Sequence, residues 1–323
     1  MTELIGELSE SDILRRILAR TPRATATIVG PGDDAAVLAV NGDLVATTDT
    51  LVHGPDFRLA WSSGFDLGYK AAAVNLADVA AMGAQPTALL VALAIPATLP
   101  VALVEEMARG LAAACDELSP GCAVVGGDLT VSATLTIAVT ALGDLQGRGA
   151  VLRSGARPGD TLALAGAQGV AARGLTTLFR RFTDADATPI VIDLTMLTAT
   201  ERDEVAAQLR PQPPISLGIV AARAGATAMM DVSDGLVLDA RRMARASGVT
   251  IDINADAFTH PASALEGGED HALLATFSGP LPDGFRPIGR VIEQGEEAVT
   301  VDAARYDLPG GWDPYRDWDA QAG

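Results

Sequence analysis

The chain has 323 residues, of which 49% are hydrophobic, 4% aromatic and 20% charged, and its formal net charge is −18. A chain of this length has room for about two domains of roughly 150 residues, each with its own core. The acidic balance argues against a general nucleic-acid binder or a binder of anionic membranes, because both need a basic surface. A nucleotide substrate stays compatible with this charge if metal ions lie between the carboxylates and the phosphates.

Cysteine content and hydropathy narrow the class of protein further. The two cysteines, Cys115 and Cys122, form no Cys-x-x-Cys pair, which argues against a structural zinc site. Few cysteines and a polar, acidic N-terminal stretch predict a cytoplasmic protein without a signal peptide. The most apolar window, 88–104, contains Pro96 and Pro100, so it predicts a strand, a turn and a helix rather than a membrane span.

In the first half of the chain, turn and capping signals alternate with apolar runs. Asn41-Gly42 predicts a hairpin between strands at 35–40 and 44–48. Ser63 and Asp66 predict a capping box at the start of a long helix that ends near Met82. The remaining predicted elements are a short helix that Ser9 caps, a helix at 101–117 and strands at 88–95, 123–125 and 134–142.

The polar, Gly-rich stretch 143–149 predicts the domain boundary, with an N-terminal domain at 1–148 and a C-terminal domain at 149–323. Strands and helices alternate in both halves, without the regular spacing of an all-parallel sheet. The predicted fold class is therefore α+β, with two α/β-type domains whose mixed sheets are covered by helices. The elements predicted after the boundary are strands at 161–165, 226–232, 249–253 and 272–277 and helices at 170–179, 201–209, 215–224 and 236–247.

Carboxylates recur at predicted strand ends and in Gly-containing turns, where functional sites are commonly assembled. Converging carboxylates repel one another unless they are protonated or bridged by cations, and hard oxygen ligands suit Mg²⁺. Each position taken alone is equally well explained by local structure, since Asp hydrogen-bonds its own backbone in turns and caps helices. The set comprises Asp33, Asp34, Asp49, Asp128, Asp231 and Asp234.

Two further features leave alternatives open. Asn75 and Asp78 share one face of the predicted long helix and form either a satisfied polar cluster or a metal ligand with its support. Arg153 is either a phosphate clamp or a solvated surface residue. No hydrolase-triad, zinc-protease or P-loop motif is present. The histidines, which have no Ser or Cys partner motif, are His53, His260 and His271.

Taken in chain order, these motifs resemble those of the thiamine-monophosphate kinase family, whose relatives are aminoimidazole ribonucleotide synthetase, selenophosphate synthetase and a hydrogenase maturation protein. The helix at 70–84 and the turn Asp231-Val232-Ser233-Asp234-Gly235 are the most specific matches. The other matches are Gly32-Asp33-Asp34-Ala35, Thr48-Asp49-Thr50, Gly126-Gly127-Asp128, Arg153-Ser154-Gly155-Ala156, Gly267-Gly268-Glu269-Asp270 and Gly311-Trp312-Asp313.

The resemblance implies the aminoimidazole ribonucleotide synthetase fold and direct, in-line transfer of the ATP γ-phosphoryl group to thiamine monophosphate, with several Mg²⁺ ions and no general base. It also implies a homodimer formed through the first domain. The implied metal ligands are Asp34, Thr47, Thr48, Asp49, Asp78, Asp128, Asp231 and Asp234. The implied ATP contacts are Gly127, Arg153 and Ser233, and the implied substrate contacts are Asp56, Glu269 and Trp312.

Two alternative functions stay open on the sequence. One is another ATP-dependent synthetase of the same superfamily, which would release inorganic phosphate. The other is a non-catalytic module that binds Mg²⁺ and a nucleotide without turnover.

Overall fold

The computed structural model describes residues 2–31 and 35–312. The elements of its first part are α1 (Glu10–Leu18), β1 (Thr27–Val29), β2 (Val37–Leu38), β3 (Leu44–Val52), α2 (Gly64–Ala81), β4 (Gln85–Ile95), α3 (Val101–Leu118), β5 (Ala123–Val131) and β6 (Thr136–Asp144). Four of these strands form a sheet in the order β3-β6-β4-β5, in which β4 and β5 are parallel and the other neighbours antiparallel. Strands β1 and β2 pair separately.

The second part is built on a seven-stranded sheet. Its elements are β7 (Thr161–Ala165), α4 (Val170–Arg181), α5 (Ala199–Leu209), α6 (Ile215–Arg223), β8 (Ala228–Val232), α7 (Leu236–Ser247), β9 (Thr250–Ile253), α8 (Pro261–Glu266), β10 (Ala272–Phe277), β11 (Arg286–Ile292), β12 (Val299–Val301) and β13 (Ala304–Arg305). The strand order is β13-β12-β9-β11-β7-β10-β8, and the sheet mixes a parallel β12–β9 pair with antiparallel neighbours. Two mixed sheets with helices confirm the predicted α+β class.

Helix α2 lies at the centre of the molecule. The capping box predicted for it is present, since Ser63 Oγ accepts from the N–H of Asp66 and the Asp66 carboxylate accepts from the N–H of Ser63. Almost every residue of the helix is buried. Gly68 lets it approach α3 closely, because a Cβ there would lie 2.0 Å from the carbonyl oxygen of Met107. A helix buried on all sides must provide partners for each polar side chain that it carries.

Contacts across α2 and its N-terminal loop join the two parts of the molecule. The indole Nε1 of Trp61 donates to the carbonyl of Phe182 at 3.0 Å. Gly218 of α6 packs so closely on Ala80 that a Cβ would lie 2.1 Å from its carbonyl oxygen. Residues 145–160 connect β6 to β7, and the predicted boundary at 148 falls within this connection.

The hairpin predicted at Asn41-Gly42 is wrong. Strand β2 pairs with β1, while β3 pairs along its whole length with β6. The Asn41 N–H donates to the carboxylate of Asp144, at the end of β6, at 2.8 Å. A nine-residue ladder with β6 therefore outweighs the local turn signal.

The predicted ends of two strands are also wrong. Strand β3 continues past Asp49 to Val52, and β5 continues through Asp128 to Val131. Residues of β3 alternate between exposed and partly buried, so polar side chains are tolerated on the uncovered face. Within the described residues, no helix is both long enough and apolar enough to cross a membrane.

Candidate functional site

Strand β3 and helix α2 are joined by polar contacts that settle the role of Asn75. Its Oδ1 accepts from the N–H of Asp49 at 3.1 Å, and its Nδ2 donates to the carbonyl of Ala71 at 2.9 Å. Thr47 Oγ1 donates to Asp78 Oδ2 at 2.7 Å. Asn75 therefore supports the strand, while Asp49 and Asp78 present carboxylates at the side of the sheet that α2 covers.

In the second domain, the turn after β8 carries Asp231 and Asp234. The backbone N–H groups of residues 233–235 donate to Oδ2 of Asp239, at 3.1, 3.1 and 3.3 Å. Neither Asp231 nor Asp234 is needed to cap α7, because Asp239 performs that role from within the first turn. Asp234 pairs instead with Arg242 at 2.6 Å.

These four aspartates, which we call the carboxylate cluster (Asp49, Asp78, Asp231 and Asp234), interact electrostatically across the domain junction. Burial, with the charges of Asp231 and Asp49 adding to it and the hydrogen bond from Thr47 opposing it, raises the pKa of Asp78 to about 7. Burial likewise raises the pKa of Asp49, and Asp231 and Asp234 add to the effect. Two domains thus bring several carboxylates together.

A divalent cation fits this donor set, because it would relieve the repulsion that raises these pKa values. Within the described part of the chain, no three His, Cys, Asp or Glu side chains already stand close enough to hold a metal ion. Ligation by the carboxylate cluster would therefore need small side-chain adjustments and further oxygen donors, such as phosphate oxygens.

Helix α2 and the loop at 267–271 contribute two residues to which the sequence assigned no role. Lys70, buried on α2, pairs with Glu269 across the domain junction and donates to the carbonyl of Gln208 at 3.3 Å. His271 Nδ1 lies 3.0 Å from Oδ2 of Asp231. A signal for Lys70 existed, since a lysine on a helix that is otherwise Ala-rich needs a counter-charge.

The residues expected to contact the substrate border the same junction. Asp56 Oδ2 accepts from the N–H of Val52 at 2.7 Å. Burial raises the pKa of Asp56, and the charge of Glu269 adds to this, so these two carboxylates are neighbours. The N–H of Trp312 donates to the carbonyl of Asp234 at 2.9 Å, and its side chain is partly exposed beside the turn.

Other predicted ligands lie away from the carboxylate cluster. Thr48 points to the uncovered face of the sheet, where its Oγ1 donates to the Val139 carbonyl at 2.9 Å. Gly127 and Asp128 are on β5, three strand spacings of ~4.8 Å from β3. They line a cavity of about 770 Å³ together with residues of α1 and the segment around β2.

Arg153 and Ser233 lie at opposite ends of α7. The carbonyl of Arg153 accepts from Ser247 Oγ at 3.1 Å, at the C-terminal end of this helix, and its side chain is exposed. Ser233 precedes the N-terminal end, roughly 18 Å away for a 12-residue helix. One chain therefore does not bring these two predicted ATP contacts together. Asp34, with its neighbour Asp33, lies outside the described residues.

Comparisons with known proteins match both parts of the chain to domains of one family. The family model for the AIR synthase related protein, N-terminal domain, matches residues 32–145, and that for the C-terminal domain matches residues 157–280. The thiamine-monophosphate kinase of Mycobacterium tuberculosis H37Rv is 39% identical over 339 residues, covering 98% of this chain and 95% of that protein. The Corynebacterium glutamicum protein of the same name is 40% identical over 328 residues, covering 95% and 94%.

Solved structures agree with this relationship. The thiamine-monophosphate kinase from Stenotrophomonas maltophilia K279a has a TM-score of 0.74 and 32% identity, covering 91% of this chain and 95% of that one. AaThiL complexed with AMPPCP and TMP has a TM-score of 0.72 and 29% identity, covering 97% and 99%. The similarity therefore extends through both domains and their connection.

Proposed function

This chain belongs to the AIR synthase related protein family, and we propose that it is a thiamine-monophosphate kinase, which transfers the γ-phosphoryl group of ATP to thiamine monophosphate. The observation that carries the proposal in the structure is the meeting of carboxylates from both domains, with Asp49 and Asp78 on one side and Asp231 and Asp234 on the other. The substrates follow from the relatives that match nearly the whole chain.

The chemistry needs positioning more than it needs a base. A phosphate monoester has a second pKa of about 6, so the acceptor oxygen of thiamine monophosphate is already largely ionised at neutral pH. The difficulty is to bring two polyanions into line within an acidic protein. Mg²⁺ bound to the carboxylate cluster would neutralise phosphate oxygens. The protein itself fixes the carboxylates through Asn75, Asp239 and the Thr47–Asp78 hydrogen bond.

The substrate side of the junction suits the organic cation of thiamine. Asp56 and Glu269 are neighbouring carboxylates that would stabilise a thiazolium charge, and Lys70 fixes Glu269. The partly exposed ring of Trp312 offers an aromatic face beside the turn of Asp234. These contacts give the site a means to choose a cationic phosphate ester over other monophosphates.

We further infer that the active protein is a homodimer. Among the residues that the structure describes, no helix covers the face of the four-stranded sheet that carries Thr48 and the exposed Leu90. Gly127 and Asp128 sit at the sheet edge far from the carboxylate cluster. A second copy packed on this face would supply Gly127 and Asp128 to the neighbouring site. ATP as donor also fits the cytoplasmic location that the composition predicts.

The direct test is an assay of the purified protein with ATP, Mg²⁺ and thiamine monophosphate. We expect thiamine diphosphate and ADP in equal amounts, with unphosphorylated thiamine inactive as acceptor. A folded protein that forms no thiamine diphosphate contradicts the proposal. Release of inorganic phosphate with formylglycinamidine ribonucleotide would instead identify a synthetase, and ATP binding without turnover would identify a binding module.

A further inference from the structure

His271 is a buried side chain that contacts one member of the carboxylate cluster directly. His271 and Asp231 are each 6% exposed, and the Nδ1–Oδ2 distance is 3.0 Å. Antiparallel pairing brings the two together, since Ala272 at the start of β10 opposes Val232 at the end of β8. The contact therefore lies where both strands open onto the domain junction.

Within the described residues, 2–31 and 35–312, the Asp231 carboxylate accepts a single hydrogen bond, and His271 donates it. The nearby backbone N–H groups of residues 233–235 all donate to Asp239. A buried carboxylate with a single partner is free to rotate once that partner is removed. The orientation of Asp231 thus depends on one imidazole nitrogen.

The backbone holds His271 in place at a conformational cost. Its φ is +53°, and that of Glu269 is +71°, in the left-handed region that L-residues rarely adopt. The loop is clamped to the opposite turn, because the N–H of Glu269 donates to the Ser233 carbonyl at 2.9 Å. Gly268 makes this approach possible, since a Cβ there would lie 2.1 Å from the Ser233 carbonyl oxygen. Strained backbone of this kind is typical of functional sites.

The second ring nitrogen supplies an independent observation. Nε2 of His271 is buried and has no hydrogen-bond partner in the described part of the chain. A neutral ring that donates from Nδ1 to Asp231 leaves Nε2 as an acceptor. Buried polar atoms without a partner usually mark a place where water or a ligand completes the structure.

We propose that His271 is a positioning residue that fixes the Asp231 carboxylate for a divalent cation bound at the domain junction. Nδ1 holds Oδ2 of Asp231, so that Oδ1 remains available to the cation. This inference rests on the proposed function, because that function supplies the nucleotide with which the cation binds. Partners that orient metal ligands typically change metal affinity 10–100-fold when they are removed.

The test compares His271→Asn with His271→Gly, because both residues tolerate a positive φ. The Asn amide nitrogen lies near the position of Nδ1 and keeps the donor, whereas Gly removes it. Mg²⁺ is titrated calorimetrically into each folded protein in the presence of AMPPCP. We expect about 10–100-fold weaker Mg²⁺ binding for His271→Gly and binding close to that of the parent for His271→Asn. His260→Ala, at an exposed histidine, serves as control.

Unchanged Mg²⁺ affinity in a folded His271→Gly protein overturns the inference, as does a folded His271→Asn protein that binds as weakly as the Gly variant. Absence of Mg²⁺ binding by the parent overturns it outright. If the Gly variant does not fold, His271→Gln replaces it. The Gln amide nitrogen lies farther from the backbone than Nδ1, near the level of Nε2, so Gln should not restore Mg²⁺ binding. Binding rather than turnover is measured, so a parent that binds Mg²⁺ but forms no thiamine diphosphate contradicts the proposed function alone.

Discussion

Asp78 shows that assembling this site has an energetic cost. Burial, followed by the charges of Asp231 and Asp49, raises its pKa from 3.8 to about 7. The hydrogen bond from Thr47 only partly offsets these effects. In the protein without metal, Asp78 therefore carries a proton over a pH range in which an exposed aspartate is ionised.

The raised pKa of Asp78 makes the stability of the metal-free protein depend on pH. Because the folded-state pKa lies above that of the unfolded chain, folding binds a proton between about pH 4 and pH 7. The free energy of unfolding of the metal-free protein should therefore fall as the pH rises through this window. Asp78→Asn should reduce the fall, raise the stability at pH 8 and abolish kinase activity.

Urea unfolding in the presence of a chelator, at pH 5 and pH 8, measures this effect. Asp116→Asn removes a carboxylate from the exposed face of α3 and should leave the parent's pH dependence in place. Equal pH slopes for Asp78→Asn and the parent would show that Asp78 does not carry the effect.

At this same scale, the sequence identified residues through local motifs and missed those that act through distant partners. Asp49, Asp78, Asp231 and Asp234 stand in recognisable patterns, and the structure brings these four together. Their roles as metal ligands stay predictions. His271 gains its importance from Asp231, 40 positions away, through a contact that only the folded chain creates. Asp239 caps α7 locally, but as the fourth residue of the helix it does not stand at the usual N-cap position.

At the scale of elements, the contact between α2 and α3 decides where the site stands. Gly68 and Gly110 face the partner helix, and a Cβ on either would lie 2.0 Å from a backbone carbonyl oxygen. Backbone atoms cannot move aside as a flexible side chain can. The position of the helix that carries Asn75 and Asp78 therefore depends on the lack of a Cβ atom at both glycines.

Gly68→Ala should therefore destabilise the protein by more than ~2 kcal/mol and lower kinase activity, because α2 must shift away from α3. Thermal unfolding and the kinase assay on the same preparation provide the measurements. Gly149→Ala is the matched control, since a Cβ there meets no atom within 4 Å, and we expect a change within ~0.5 kcal/mol. A stable, fully active Gly68→Ala protein would contradict this account of the interface.

Helix bounds were predictable where a capping box marks the start, as for α2. Strand bounds were less so. Asp49 and Asp128 both lie inside strands. The N–H of Asp49 is held by Asn75 of α2, and Asp128 is exposed on the edge strand β5, so neither carboxylate ends its strand as the sequence pattern predicts.

At the scale of the whole molecule, the separation of Asp49 and Asp128 makes the proposed homodimer testable by mixing. Asp49→Ala and Asp128→Ala proteins should each be inactive. If each site combines Asp49 of one copy with Asp128 of the other, co-expression of the two variants restores one intact site in every mixed dimer. With statistical pairing, half of the dimers are mixed, so about one quarter of the parent activity should return.

Two arrangements of the site give opposite results in this experiment. No activity returns if both residues serve the same site in the same copy, because every site then carries one defect. Sedimentation analysis of each variant alone confirms that the assembly is unchanged, so that a failure to recover activity is not caused by a failure to pair.

The alternation of strands and helices was enough to predict two mixed-sheet domains, but not the order of their strands. The central position of β6 depends on its pairing with β3, about 90 residues earlier in the chain, and with β4, about 50 residues earlier. The domain boundary at residue 148 stays a prediction, and it lies in the connection between the two sheets.

Lys70 is the only lysine in the chain, and it is buried against Glu269 where the two domains meet. Amine-specific reagents thus have two targets, this side chain and the α-amino group. Isotopic methylation of the denatured and refolded chain would place a single spectroscopic probe inside the molecule. The resonance of the methylated Lys70 would report any opening and closing of the domain junction during turnover, without an engineered label.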